Sequence, residues 1–176
     1  TFVIKGNLCF SRSMDELVLM EQSYIVVEDG RVAGTFRTLP ERYAQLPVLD
    51  YGDRLILPGM TDLHVHAPQF AFRGLGMDME LLDWLNTYTF PEESKYRDME
   101  YAQRAYRQFV AHLRTSATTR VGVFATMHLP ATEFLMQELE NSGLVSYVGK
   151  VNMDRNSPDY LRGHLPARGY FYPAKK

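Results

Sequence analysis

The chain has 176 residues and a net charge of −2, from 19 basic against 21 acidic side chains. That balance argues against nucleic acid or an anionic membrane surface as a partner, and the length is enough for one domain with a substantial core. No apolar run of about 18 residues is present to span a membrane, and Thr1-Phe2-Val3-Ile4-Lys5 lacks the charged leader and apolar core of a signal peptide.

The first residue is not Met, so a start already trimmed is expected. Residues 1–57 read as short strands and turns. Phe2 to Phe10 and Tyr24 to Glu28 carry β-branched and aromatic residues at strand density. Cys9, in the first of these runs, is the single cysteine, which excludes an internal disulfide and points to a reducing, cytoplasmic compartment. Asp29-Gly30 predicts a tight hairpin turn, with Val32 to Phe36 pairing back. Arg54 to His66 is predicted as one strand. A short helix follows over about 79–88, with Asp78 as N-cap and Pro91 as its stop. A second helix is expected over about 99–114, where Ala102, Ala105, Tyr106, Phe109, Val110 and Leu113 form an apolar stripe assigned to core packing.

Thr119 to Met127 is nearly continuous and apolar, as in a parallel strand buried on both faces. Thr132 to Ser142 is the next helix, closed by Gly143 at the usual C-terminal glycine position, and Leu144 to Asn152 is another buried strand. Strands alternating with helices in this order predict βαβ units and a parallel sheet. Residues 161–176 differ from the rest. They hold four Lys or Arg side chains and no acidic one, show no periodicity, and read as an atypical basic tail with no assigned role.

The run Pro58-Gly59-Met60-Thr61-Asp62-Leu63-His64-Val65-His66 carries the chemistry. Residues two apart on a strand share a face, so His64 and His66 project together. Two neutral imidazoles at the exit of a buried strand suit the first two ligands of a divalent metal such as zinc. The bland alternative for an isolated His-X-His is two histidines on a strand by chance, with ordinary hydrogen bonds.

The flanking residues favour the metal-ligand reading. The Pro-Gly entry, the Thr-Asp step and the His-X-His end resemble the first-strand signature of the amidohydrolase superfamily. His66-Ala67-Pro68-Gln69-Phe70, Gly76 to Glu93 with its Trp84-Leu85-Asn86-Thr87-Tyr88-Thr89-Phe90-Pro91 core, Phe124-Ala125-Thr126-Met127-His128 and Tyr147 to Asp154 are similar to the guanine deaminases of that superfamily, bacterial branch. The resemblance implies an α/β fold: the first three β/α units of an amidohydrolase-type TIM barrel over 58–160, preceded by part of a small β-domain over 1–57. A whole barrel takes roughly 250 residues, so the barrel is expected to be incomplete here, with open strand edges.

The resemblance also implies zinc-dependent hydrolytic deamination of guanine to xanthine and ammonia, a step of purine catabolism. It implies His64 and His66 as metal ligands and Gln69 as a contact to the purine edge; Trp84, the single tryptophan, reads either as a wall of the purine pocket or as core packing on an amphipathic helix. The family's other ligands, its metal-bound aspartate and its proton-shuttling glutamate belong to strands beyond residue 160, so no catalytic residue is assigned and the chain is not expected to catalyse alone. His128 is assigned a capping or hydrogen-bonding role, and His112 and His164 none. A cytidine-deaminase type of zinc site needs a Cys-X-X-Cys pair that one cysteine cannot supply. Another amidohydrolase acting on a related ring, and a non-catalytic chain acting only by association with a partner, are the remaining readings. Homodimerisation of a complete protein is implied only by analogy.

Overall fold

The computed structural model describes residues 1–153, 157–162 and 171–173. They form two compact units, Thr1–Pro58 and Gly59–Lys176.

The first unit is a four-stranded sheet of β1 (Phe2–Ser11), β2 (Leu17–Glu28), β3 (Arg31–Phe36) and β4 (Val48–Ile56), in the order β3-β2-β1-β4. β1 and β2 pair antiparallel, as do β2 and β3, whereas β4 joins β1 in parallel. Val3, Leu8, Met20 and Val26 form its buried apolar set. Asp29 and Gly30 turn the β2–β3 hairpin with φ of 49° and 73°, the primed geometry that matches strand twist. Pairing on β2 begins well before Tyr24. A bulge at Gln22 (φ 43°), whose N–H donates to Asn7 Oδ1 at 2.9 Å, interrupts the alternation that marks a strand in the sequence.

The strand predicted over Arg54 to His66 is two strands. Arg54–Ile56 ends β4, and a new strand, β5 (Met60–His66), starts after Leu57-Pro58-Gly59. Pro58 cannot donate to a ladder, and a Cβ at Gly59 would run into the Thr119 side chain.

In the second unit β5, β6 (Thr118–Phe124) and β7 (Val145–Gly149) pair in parallel, linked by helices that pack on the sheet. Helix α3 (Met99–Arg114) matches its predicted span. Asp98 caps it, its Oδ1 accepting from Glu100 N at 2.8 Å and Tyr101 N at 3.4 Å. Ala102, Tyr106, Phe109, Val110 and Leu113 are its buried stripe. They meet Ala131, Leu135 and Leu139 of α4 (Leu129–Ser142) and Val121, Val123 and Val148 of the sheet. Each fully buried side chain of this kind contributes about 1.5–3 kcal/mol. α4 ends at Gly143, whose φ of 79° is the left-handed C-terminal conformation that favours glycine.

The helix predicted to stop at Pro91 runs through it. α1 (Leu81–Trp84) passes into a π-helical turn (Leu85–Thr89) and then α2 (Phe90–Lys95). Proline lacks an N–H and its ring collides with the carbonyl four residues back. Widening the preceding turn, so that Phe90 N–H reaches Leu85 O five residues back, makes room for it. The N-cap is Glu80 without a side-chain bond, so Asp78 does not cap this helix.

A short fourth strand, β8 (Phe171–Pro173), pairs antiparallel with β7, so part of the segment read as an atypical basic tail lies on the sheet edge. Residues 154–156, 163–170 and 174–176, Asp154 and His164 among them, lie outside the described residues. Among the described residues no helix is long and apolar enough to cross a membrane.

Candidate active site

The site is built at the C-terminal ends of β5 and β6. The ladder between them slips between Asp62 and Val65, where β5 spends one residue more than β6. Asp62 Oδ1 accepts the His64 N–H at 3.1 Å and pins this bulge. Bulges re-aim side chains beside active sites, and here both imidazoles end on Phe124. The ring centroids lie 4.6 Å (His64) and 4.8 Å (His66) from that of Phe124.

The two Nε2 atoms are 3.1 Å apart. Nitrogens held about 2.0–2.1 Å from one tetrahedral ion stand about 3.3–3.4 Å apart, so this pair fits two corners of such a site. Burial, and then the neighbouring His64, hold the His66 pKa below its ordinary 6.5, which favours the neutral, ligating imidazole. Among the described residues no group of three or more His, Cys, Asp or Glu side chains is arranged to hold a metal. Catalytic zinc takes three protein ligands, so these residues fit part of a metal site and do not complete it.

All four sequence-derived candidates, His64, His66, Gln69 and Trp84, line one cavity of about 720 Å³, together with Asp62, Arg73 and His112. Gln69 sits in a 3₁₀ turn, Ala67–Phe72, with Pro68 as its second residue, and Tyr96 Oη donates to the Pro68 carbonyl at 3.4 Å. The Gln69 side chain is half-buried and its amide makes no hydrogen bond among the described residues, leaving a donor and an acceptor for a ligand. Trp84 presents its ring only. Its Nε1–H donates to Leu75 O at 3.1 Å, and its ring packs 5.5 Å from that of Phe72.

The Glu93 backbone lies against the His128 imidazole. His128 stands at the N-cap of α4, its side chain makes no capping bond, and Nε2 is buried with no partner among the described residues. His112 lies at the cavity wall with its ring 5.2 Å from that of Phe70.

Sequence reasoning missed the two glutamates of α2, both buried although charged. Glu92 accepts from Lys95 Nζ at 2.6 Å and from Tyr101 Oη. Glu93 Oε1 accepts from Thr126 Oγ1 and from Met127 N at 2.7 Å, which ties α2 to the loop after β6. Burial raises the Glu93 pKa above 4.5, with those two hydrogen bonds and Lys150 pulling the other way. One signal was available. Glu93 lies three residues from both Phe90 and Tyr96, which places it on the inward stripe.

A parallel βαβ sheet with paired histidines at the C-terminal end of its first strand is the arrangement of the amidohydrolase family. That family matches residues 55–170, and the chain belongs to it. Within the family the chain is similar to guanine deaminases. It is 42% identical to that of Dictyostelium discoideum over 175 residues, covering 90% of this chain and 39% of the relative. It is 36% identical to that of Escherichia coli K12 over 149 residues, covering 82% and 34%. The structure superimposes on the crystal structure of the guanine deaminase from C. acetobutylicum, with guanine bound in its active site, at a TM-score of 0.87 and 48% identity, covering 92% of this chain and 39% of that one. The chain therefore spans about two fifths of the length of these relatives, the portion holding the first β/α units of the barrel.

Proposed function

We propose that this chain is the N-terminal part of a zinc-dependent guanine deaminase, which converts guanine and water to xanthine and ammonia in purine catabolism. The observation that carries the reading is the convergence of the His64 and His66 Nε2 atoms, 3.1 Å apart, on a cavity that also holds the unpaired Gln69 amide. Similarity to guanine deaminases along most of the chain supports it.

His64 and His66 hold the metal. With zinc held there, the pKa of water would be lowered enough for hydroxide to be available at neutral pH. Gln69 orients the base by pairing its amide with a purine edge that carries both a donor and an acceptor, and the Trp84 ring forms a wall. The overall change is hydrolytic. A C–O bond forms at the amino-bearing carbon, the C–N bond breaks, and the nitrogen leaves as ammonia. The remaining ligands and the proton-transfer groups come from the rest of the longer polypeptide. A cytoplasmic setting agrees with the single, unpaired Cys9, and a homodimer is proposed for the complete protein.

The test uses that complete polypeptide. His64→Ala or His66→Ala is expected to lower zinc content and abolish xanthine formation. Gln69→Ala is expected to raise KM for guanine with zinc retained. Zinc loss in the Gln69 variant, or full zinc retention in both histidine variants, contradicts this division of roles.

A further inference from the structure

A second cavity of about 160 Å³ opens beside the first and shares His66 and Gln69 with it. Pockets for drug-sized ligands run to about 300–1,000 Å³, so this space is on the scale of a bare heterocyclic base and not of a base carrying a sugar. Its walls are largely apolar, including Phe72, Leu85 and Phe90, and the π-helical turn before Pro91 supplies Leu85 and Thr89.

The charged group in this wall is Glu93, which is 4% exposed. Its Oε1 is committed to Thr126 and Met127. Its Oε2 accepts no hydrogen bond among the described residues, and the nearby Lys150 ammonium donates instead to Val151 O at 3.1 Å and Asn152 Oδ1 at 2.9 Å. Glu93 is therefore held through Oε1 in a wall of a base-sized cavity next to His66 and Gln69, with Oε2 left for a ligand donor.

We propose that Glu93 is a specificity-determining residue, its free oxygen accepting a hydrogen bond from the imidazole-ring N–H of a free purine base seated in this cavity. The inference rests on the guanine deaminase reading and deepens it. A free base carries that N–H, and a nucleoside or N9-alkylated base lacks it. Gln69 serves the polar edge of the base and Glu93 the imidazole side, so together they admit bases and reject their N9-substituted forms.

The experiment measures kcat/KM of the zinc-loaded complete polypeptide for guanine and for 9-methylguanine, in the parent and in Glu93→Gln. The amide can keep its oxygen on Thr126 and Met127 while turning an N–H₂ towards the ligand. The parent is expected to prefer guanine by about tenfold or more, the size of one hydrogen bond to a charged group. In Glu93→Gln that ratio is expected to shrink several-fold, through a raised KM for guanine, with zinc content at the parent level. A parent that uses both bases alike overturns the inference without any variant. So does a Glu93→Gln protein that slows on both bases equally, which is what a purely structural role or steric exclusion of the methyl group gives. A parent that deaminates neither base refutes the functional reading itself, and an active parent with no preference refutes only the role of Glu93.

Discussion

Removing the Asp62 carboxylate tests how the fold brings the two histidines together. Asp62 Oδ1 accepts the His64 N–H at 3.1 Å, inside the bulge where β5 departs from the β6 register. The Nε2 atoms stand 3.1 Å apart downstream of that bulge. A hydrogen bond to a charged acceptor contributes about 1.5–3 kcal/mol, and Asp62 is half-exposed, so the lower end applies. About 1.5 kcal/mol of lost preorganisation is roughly a tenfold rise in the zinc Kd. That falls at the lower end of the 10–100-fold cost typical of losing groups that orient metal ligands. Chelator competition on the complete polypeptide measures it. Asp62→Ala is expected to weaken zinc binding about tenfold. Asp62→Asn keeps an Oδ1 acceptor and is expected to stay within about threefold of the parent. An unchanged Kd in Asp62→Ala, or an equal loss in both variants, refutes the pinning of the bulge by Asp62.

Two further outcomes concern stability. Leu135 is fully buried between α3 and the sheet, so Leu135→Ala is expected to cost about 2–5 kcal/mol, read as a lower denaturant midpoint. Glu93 has its native pKa raised above 4.5, chiefly by burial. The stability this gives is fully present below the unfolded value and is lost as pH rises through the native value. The parent is therefore expected to lose stability relative to Glu93→Gln from about pH 4.5 upwards through that window. A difference between the two proteins that does not change with pH contradicts the shift.

Much of the fold can be read from periodicity. The α3 stripe, the Gly143 stop and the alternation of strand and helix follow from local chemistry that tertiary packing leaves intact. Departures arise where one residue overrides a pattern. Pro91 reads as a helix stop, because a π-turn that absorbs it depends on packing around Phe90 and Tyr88. Pro58-Gly59 reads as part of one strand, because the apolar residues on both sides, Leu55 to Leu57 and Met60, continue through it. The bulge at His64 leaves no mark in composition, since Asp62 looks like a turn residue. Glu93 is the main omission within the site. A carboxylate on a helix normally faces water, and its burial depends on Thr126 and Met127, from the loop after β6 more than thirty positions away. Gln69 and Trp84 line the cavity with the two histidines, but the commitment of the Trp84 N–H to Leu75 has no mark in the sequence.

The most direct test of the account is the reaction itself. The complete polypeptide carrying this segment, loaded with one equivalent of zinc, is incubated with guanine, and xanthine and ammonia are quantified together. The account predicts equimolar release of both, lost on chelation and restored by zinc. Stoichiometric zinc binding with no xanthine formed, or xanthine formed equally well by the His64→Ala, His66→Ala double variant, would contradict it.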